Sequence, residues 1–458
     1  MNKIATIAGL TWKSAFRYRL FWIMTGLLAA AVVGLPLLLK TDGTAKGLVQ
    51  ILLTYTLGAV AALLGFATLW LSCGTLARDV EECQVQMVAV KPIARWQIWL
   101  GKWLGLLSLN AVLLALAGAA IFILLQWRAN KLPADQQKVL REEIFVSRAS
   151  AREPPLDIGP EVDRYMRRRK DLSSRSGFEV AEIRKQIAAE LTAAYTQVPP
   201  GFLKSWGIDL HTLQERLRDQ PLQLRVKFHT ANANQEAQYT TLWFIGPTNS
   251  PQRVRLTEVM PADSFQEFQV PANLLDEQGR LWVDVANPNE VALDFPMEEG
   301  MELLYPESTF GVNFIRGLAV VFFWLTLLAS IGMAAASFLS FPVAAFVSLA
   351  LLFIAFSSGT VASVVEQGTI TAYDASKGGY GHTAVDVIMV PIFRGALKVI
   401  KLAQNFSPID NLSSGRSITW GQLGQAWLQI VLLLGGFFCV AGIILFTRRE
   451  LATAQGNN

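Results

Sequence analysis

Cysteine is scarce in this sequence, and so is charge. Three cysteines stand among 458 residues, Cys73, Cys83 and Cys439, all in or beside apolar segments, while the long polar middle has none. No disulfide framework can brace that middle, so its fold must rest on an ordinary core. Histidine is equally thin: His211, His229 and His382 lie far apart with no paired ligand spacing, so no metal site is expected. No Gly-x-x-x-x-Gly-Lys-Ser/Thr loop occurs, and Gly101-Lys102 lacks the upstream glycine, so the chain is not expected to hold ATP by that device. The apolar stretches contain no paired acids, Ser-His set or metal motif, which argues against an intramembrane enzyme; neither a catalytic site nor a cofactor is expected in this chain. Only 17% of residues are charged and 52% are hydrophobic, with a mean hydropathy of +0.35, far from a soluble globular balance. The net charge of +4, from 40 Lys and Arg against 36 Asp and Glu, is too even to argue for nucleic acid. A signal peptide is also lacking by this reading, because the first apolar run starts only at Phe21 and no small-residue cleavage site follows it.

What is present is long apolar runs. A bilayer core takes roughly 20 apolar residues as helix, and such stretches lie near Phe21 to Leu39, Leu48 to Leu71, Trp99 to Leu125, Val312 to Phe338, Pro342 to Val365 and Leu423 to Phe446. Strands that cross a membrane are shorter and alternate, so these are read as about six helices. From Gln126 to Phe310 the character is polar. Charged helical stretches come first (134–146, 162–170, 179–195, 210–218), broken at Pro154-Pro155 and Pro199-Pro200-Gly201. Six short runs of period two follow (222–229, 239–245, 253–259, 265–270, 281–285, 291–295), the pattern of a small antiparallel sandwich. The fold class expected is thus an all-α polytopic membrane domain with an inserted α+β domain. Its boundaries are 1–126 for the first three spans, 127–310 for the insert (helical prefix 127–219, β-sandwich 220–305) and 311–458 for the last three spans with a loop over 366–420.

Basic residues near span ends set the expected orientation. Lys3, Lys13, Arg17 and Arg19 precede the first span, Arg78, Lys91, Arg95 and Lys102 lie between the second and third, and Arg448 and Arg449 follow the last. Six spans put these regions, and both termini, on the cytoplasmic side of the cell membrane and the insert outside. The stretch 366–420 then also falls outside, although it carries Lys377, Arg394, Lys398, Lys401 and Arg416.

The segment between the second and third spans is the most informative. It reads Gly74-Thr75-Leu76-Ala77-Arg78-Asp79-Val80-Glu81-Glu82, then Gln84-Val85-Gln86-Met87-Val88-Ala89-Val90-Lys91-Pro92-Ile93-Ala94-Arg95-Trp96-Gln97-Ile98-Trp99-Leu100-Gly101-Lys102. An acidic start, a short amphipathic stretch, a Lys-Pro turn, an Arg-Trp pair and a Gly-Lys entering the next span resemble the cytoplasmic loop of ABC type-2 permeases. The resemblance implies a coupling element over 74–98 that docks in a groove of a separate ATPase. Its residues would be Asp79, Glu81, Glu82, Val85, Met87, Val88, Pro92 and Arg95. The physical parts suit that role: acids favour a helix N-terminus and Pro92 ends a helix sharply. Ile4 to Tyr18 looks like the family's amphipathic elbow helix. Asn405 to Asp410, with Gly415 and Ile418-Thr419-Trp420, resembles its short external helices, and Phe446 to Leu451 its basic ending. The large insert after the third span departs from the family pattern and leaves the substrate open.

By that resemblance the chain is a permease subunit of an exporter, not itself an enzyme, with ATP and Mg on the partner ATPase. Its partners would be that ATPase, a second copy or a homologous permease, membrane lipid and an extracytoplasmic protein. The rival reading is an anchored extracytoplasmic binding or scaffold protein without transport. Arg167-Arg168-Arg169-Lys170, flanked by Asp163, Asp171 and Glu179, reads as a solvated helix face. Glu366, near the end of the fifth span, reads as a boundary residue, with a place on a substrate path as the sharper alternative.

Overall fold

The computed structural model describes residues 3–17, 19–39, 44–82, 93–140, 145–154, 157–169, 177–217, 219–220, 222–230, 237–247, 250–251, 253–297, 299–370, 373–374, 379–380 and 385–449. Helices α1 (Lys3–Arg17), α2 (Arg19–Leu38), α3 (Ala45–Glu81), α4 (Arg95–Ala129) and the short α5 (Ala134–Val139) come first. Then α6 (Gly159–Arg168) and α7 (Gly177–Thr196) stand among strands. The chain closes on α8 (Phe310–Ala336), α9 (Phe341–Phe356), α10 (Ser358–Gln367), α11 (Asp386–Gln404), α12 (Pro408–Ser413) and α13 (Trp420–Arg448). Two compact units result: Met1–Ser147 with Ser308–Asn458, and Arg148–Glu307.

Among the described residues of the first unit, five helices are long and apolar enough to cross a membrane: α2, α3, α4, α8 and α13. A sixth candidate is α9 with α10, bent by 60° at Ser357, so the straight helix expected over 342–365 is instead a bent pair, with the geometry of a broken span or a re-entrant loop. At 37 and 35 residues, α3 and α4 run about 50 Å or more and outreach a hydrocarbon core of about 30 Å. The ends are set by local chemistry. Thr44 caps α3, its hydroxyl accepting from Gly47 N at 3.0 Å. At α13 the Thr-x-x-Gln of a reciprocal cap is made, Thr419 Oγ1 accepting from Gln422 N while Gln422 Oε1 accepts from Thr419 N. Nine residues of α13, Trp427–Gly435, wind as π-helix.

Lipid tails are as apolar as leucine, so helix association here rests on close packing. Gly101 and Gly105 on α4 let α1 approach its backbone. A Cβ at Gly101 would sit 2.7 Å from Ile7 Cβ, and one at Gly105 2.7 Å from Thr11 Cβ. Trp12 Nε1 adds a bond to Ser108 Oγ at 2.7 Å. α1 is therefore a seated element with Ile7, Thr11 and Ala15 buried against the bundle.

The second unit is built on antiparallel pairs. Strands β1 (Val146–Ala151), β2 (Gln197–Val198), β3 (Leu203–Asp209), β4 (Leu222–Val226), β5 (His229–Thr230), β6 (Gln238–Ile245), β7 (Val254–Pro261), β8 (Gln266–Val270), β9 (Arg280–Ala286), β10 (Leu293–Asp294) and β11 (Met301–Thr309) form it. They make four-stranded sheets β1-β11-β4-β8 and β3-β9-β6-β7, with a small third sheet β2-β10-β5. One core joins the two larger sheets: Leu222, Leu224 and Val226 of β4 and Leu303 of β11 share it with Trp243, Ile245, Val283 and Val285. The stretch read as a helical prefix is mixed: α6 and α7 are there, but β1 and β3 are strands within it. Trp206 and Ile208 on β3 alternate inward, yet seven residues behind a Pro-Pro-Gly break carry too few apolar positions to reveal the period. β11 escaped because Pro306 removes a ladder donor and reads as a breaker.

A charged row crosses the outer side of one sheet. Arg225 on β4 stands directly opposite Glu302 on β11 and Glu267 on β8. Its guanidinium lies 3.4 Å from Glu302 and 3.8 Å from Glu267, while Arg152 reaches Glu302 at 2.9 Å and Arg148 reaches Glu267 at 3.3 Å. The Glu302 side chain is 1% exposed. Removing the central cation strands much of a buried charge, which costs about 3–5 kcal/mol. Arg225→Met is therefore expected to raise hydrogen exchange across β4, β8 and β11 in the full chain while α3 and α4 keep their protection. Unchanged exchange would mean the row contributes nothing to stability.

Candidate functional site

The described residues on either side of the 83–92 segment, at the end of α3 and the start of α4, meet the ends of three other helices. Asp79, on the last turns of α3, pairs with Lys102 of α4, whose Nζ also donates to Thr75 O at 2.6 Å. Lys102 is 8% exposed, a buried ammonium satisfied by a carboxylate and a carbonyl. Two residues past Asp79, the Glu81 carboxylate accepts from Phe341 N at 2.8 Å, capping the start of α9. Arg78 stacks over the Phe341 ring at 4.2 Å. At the other side of the loop Arg95, the first residue of α4, donates from Nη1 to Thr447 O and Arg449 O, each at 2.8 Å, at the end of α13. Arg449 in turn reaches Ala336 O and Ser337 O past the end of α8, both at 3.4 Å. Trp99 Nε1 donates to Ser337 Oγ at 3.1 Å.

The helix dipole explains this choice of residues. Carboxylates favour helix N-termini and cations favour C-termini. Glu81 sits at the N-terminus of α9, and Arg95 and Arg449 sit on the carbonyls that end α13 and α8. The outcome is a ring of helix ends, α3, α4, α8, α9 and α13, held together by polar ties.

Of the eight residues assigned to ATPase coupling, Val85, Met87, Val88 and Pro92 lie outside the described residues. Asp79, Glu81 and Arg95 are in place, each turned to another helix of the bundle. Glu82 closes α3, its N–H donating to Arg78 O at 2.8 Å. Asp79, Glu81 and Arg95 thus tie the described ends of α3 and α4 to the bundle. Their partners, Lys102, Phe341, Thr447 and Arg449, were not assigned from sequence. Only Lys102 carried a signal, a cation at the start of an apolar helix, which must find a counter-charge. Among the described residues no group of three or more His, Cys, Asp or Glu is placed to hold a metal ion. No family model matches the chain, and no curated protein and no solved structure matches it either.

A second site lies inside the Arg148–Glu307 unit. A cleft of about 510 Å³ is lined by β3 with Lys204, Trp206 and Ile208, by Phe295, Met297 and Met301, and by Glu153 and Tyr195. Lys204 Nζ donates to Ala194 O at 2.9 Å and to Tyr195 O, the carbonyls ending α7. Partial burial pushes the Lys204 ammonium below the ordinary lysine range, opposed by Glu153 and Asp294. Burial raises the Glu153 carboxyl, opposed by Gly207 N and Lys204. The cleft combines aromatic and thioether walls with one acid and one base, a chemistry suited to holding a small amphipathic group.

Proposed function

We propose that this chain is the permease subunit of an ABC-type exporter, working with a separate ATPase that supplies ATP and Mg. The observation that carries this reading is the ring of helix ends tied to the residues that flank the 83–92 segment, Asp79 and Glu81 before it and Arg95 after it. A docking loop must pass force to several spans at once. Through Asp79 and Glu81 a pull on this loop reaches α4 and α9, and through Arg95 it reaches α13 and, by Arg449, the end of α8. A rigid-body shift of packed helices follows from such a pull without local unfolding. The apolar helices, the bent α9–α10 pair as the sixth span, the seated α1 as an elbow helix and the basic residues of the loop and the C-terminal end agree with it. On this reading both termini and the loop are cytoplasmic, and the Arg148–Glu307 unit is an extracytoplasmic β-sandwich. The permease acts as a pair, with itself or with a homologue, over two ATPases.

The test is a pull-down of the full chain in mild detergent, in which an ABC ATPase is expected to copurify. Sidedness is checked with an impermeant thiol reagent on intact cells. In a Cys83→Ser background, Thr257→Cys and Ser376→Cys are expected to react, while native Cys83 in the unaltered chain is expected to require a permeable reagent. Labelling of Cys83 from outside would overturn the orientation.

The cleft favours one rival: an anchored extracytoplasmic binding or scaffold protein whose working part is the Arg148–Glu307 unit. That reading expects no ATPase in the pull-down and full activity after the loop is neutralised.

A further inference from the structure

The helix α11 is fixed at both ends. Near its start, Asp386 is buried and accepts from Thr369 Oγ1 at 3.1 Å and Ile370 N at 3.0 Å. Near its end, Trp324 Nε1 of α8 donates to Ala403 O at 3.3 Å, and Gln404 Nε2 donates to Ala355 O of α9 at 2.9 Å. Val390 is buried, with Met389, Phe393 and Leu397 half-buried on the same packed side. What faces outward is two rows of different chemistry. Ile388, Ile392 and Val399 are 66%, 56% and 51% exposed and align with Gly395 at helical spacing. Beside them Arg394, Lys398 and Lys401, all exposed, form a second row, turned about a third of a revolution from the first by the 3.6-residue period. No ion-pair partner for these three cations occurs among the described residues. The described carboxylates nearby are engaged, Asp386 as above and Asp410 by Ser407 Oγ.

Neither bulk solvent satisfies this surface. Water leaves three large apolar side chains exposed in line, and hydrocarbon leaves three cations without a counter-charge. The boundary between headgroups and acyl chains satisfies both rows, and a helix with adjacent basic and apolar faces is built for it. A second copy of the chain fits less well, because a two-fold contact through this face sets the basic row against itself.

We infer that α11 is a seat for anionic phospholipid, with Arg394, Lys398 and Lys401 on headgroup phosphates and Ile388, Ile392 and Val399 among the acyl chains. Each base near an anionic surface strengthens attachment roughly fivefold. The seat also accounts for the cluster of bases in 366–420, which the orientation rule leaves unexplained on the outer side. Lipid, rather than the cytoplasm, is then their partner.

The experiment uses the full chain in vesicles of phosphatidylcholine with phosphatidylglycerol, and reads the relative association of headgroup-labelled forms of the two lipids. Wild type is expected to prefer phosphatidylglycerol by about tenfold or more. Arg394→Gln with Lys398→Gln and Lys401→Gln is expected to fall close to parity. The charge-keeping set Arg394→Lys, Lys398→Arg and Lys401→Arg is expected to retain the preference, which separates charge from misfolding. Parity in wild type, or an unchanged preference in the glutamine variant, overturns the inference. So does loss of the preference on adding inorganic phosphate but not chloride at equal ionic strength, which would make this a site for a soluble anion. Efficient disulfide formation between copies through Ile392→Cys would place a second chain on the face and overturn it as well.

Discussion

Replacing Val85 and Val88 together with aspartate is expected to leave the chain in the membrane at close to its normal level while stripping it of a copurifying ATPase. If both side chains enter a partner groove, each contributes about 1.5–3 kcal/mol of apolar burial. At 1.4 kcal/mol per factor of ten, their joint loss weakens docking by about a hundredfold or more, and the new carboxylates are buried without partners. Insertion is untouched because neither residue lies in a span. Transport-dependent growth is expected to fail with the complex. An interfacial loop without a partner behaves otherwise: the same variant lowers membrane abundance and leaves any partner bound. Copurification of the ATPase at normal stoichiometry would remove the coupling assignment and most of the support for an exporter.

The second large effect concerns the buried pair between α3 and α4, Asp79 with Lys102. Lys102→Met leaves Asp79 facing α4 with no cation and frees Thr75 O, and the Asp79 side chain is only 21% exposed. Breaking one side of such a pair costs about 3–5 kcal/mol, with the lower part of that range expected here because water still reaches the carboxylate. A large drop in melting temperature of the detergent-solubilised chain is the readout. Adding Asp79→Leu removes both charges, and buried pairs replaced by apolar side chains are often neutral to stability, so the double variant is expected to melt near wild type. Should it bind the ATPase but fail to transport, the pair transmits force. A double variant as unstable as the single one would show that Asp79 holds the helix end through contacts other than Lys102.

Much of the membrane part was legible beforehand because its signal is a sum over about 20 residues. Stretches from Phe21 to Leu39 or Trp99 to Leu125 are so apolar that no neighbour can change their reading. The bend at Ser357 was not read, although Ser357-Ser358-Gly359-Thr360 interrupts the apolar run of 342–365 with the small polar residues at which helices kink. In the Arg148–Glu307 unit the strands with clear alternation, such as Tyr239 to Ile245, were readable. β1, β3 and β11 were not, since a short strand beside a Pro-Gly break, or one interrupted by Pro306, carries too few positions to show a period.

The candidate site divides in the same way. That the 74–98 segment is acidic at its start, apolar in its middle and basic at its end is a local fact, and it was enough to single the segment out. That Asp79, Glu81 and Arg95 hold the ring of helix ends depends on Lys102, Phe341 N and the carbonyls of Thr447 and Arg449. The last three lie far along the chain, 260, 352 and 354 residues away. Backbone groups carry no residue signature at all, so no reading of side chains could have named them. The sequence by itself determined that this chain has long apolar helices, a polar insert with alternating strands and a charged loop between two spans, because hydropathy and period are properties of neighbours along the chain. Only the tertiary structure decided which helix ends the residues flanking that loop are tied to, how the sheets are ordered and which face of α11 is left bare. Those follow from where close packing puts distant residues, and the free energy of a buried ion pair or a capped helix end exists only once the two partners meet.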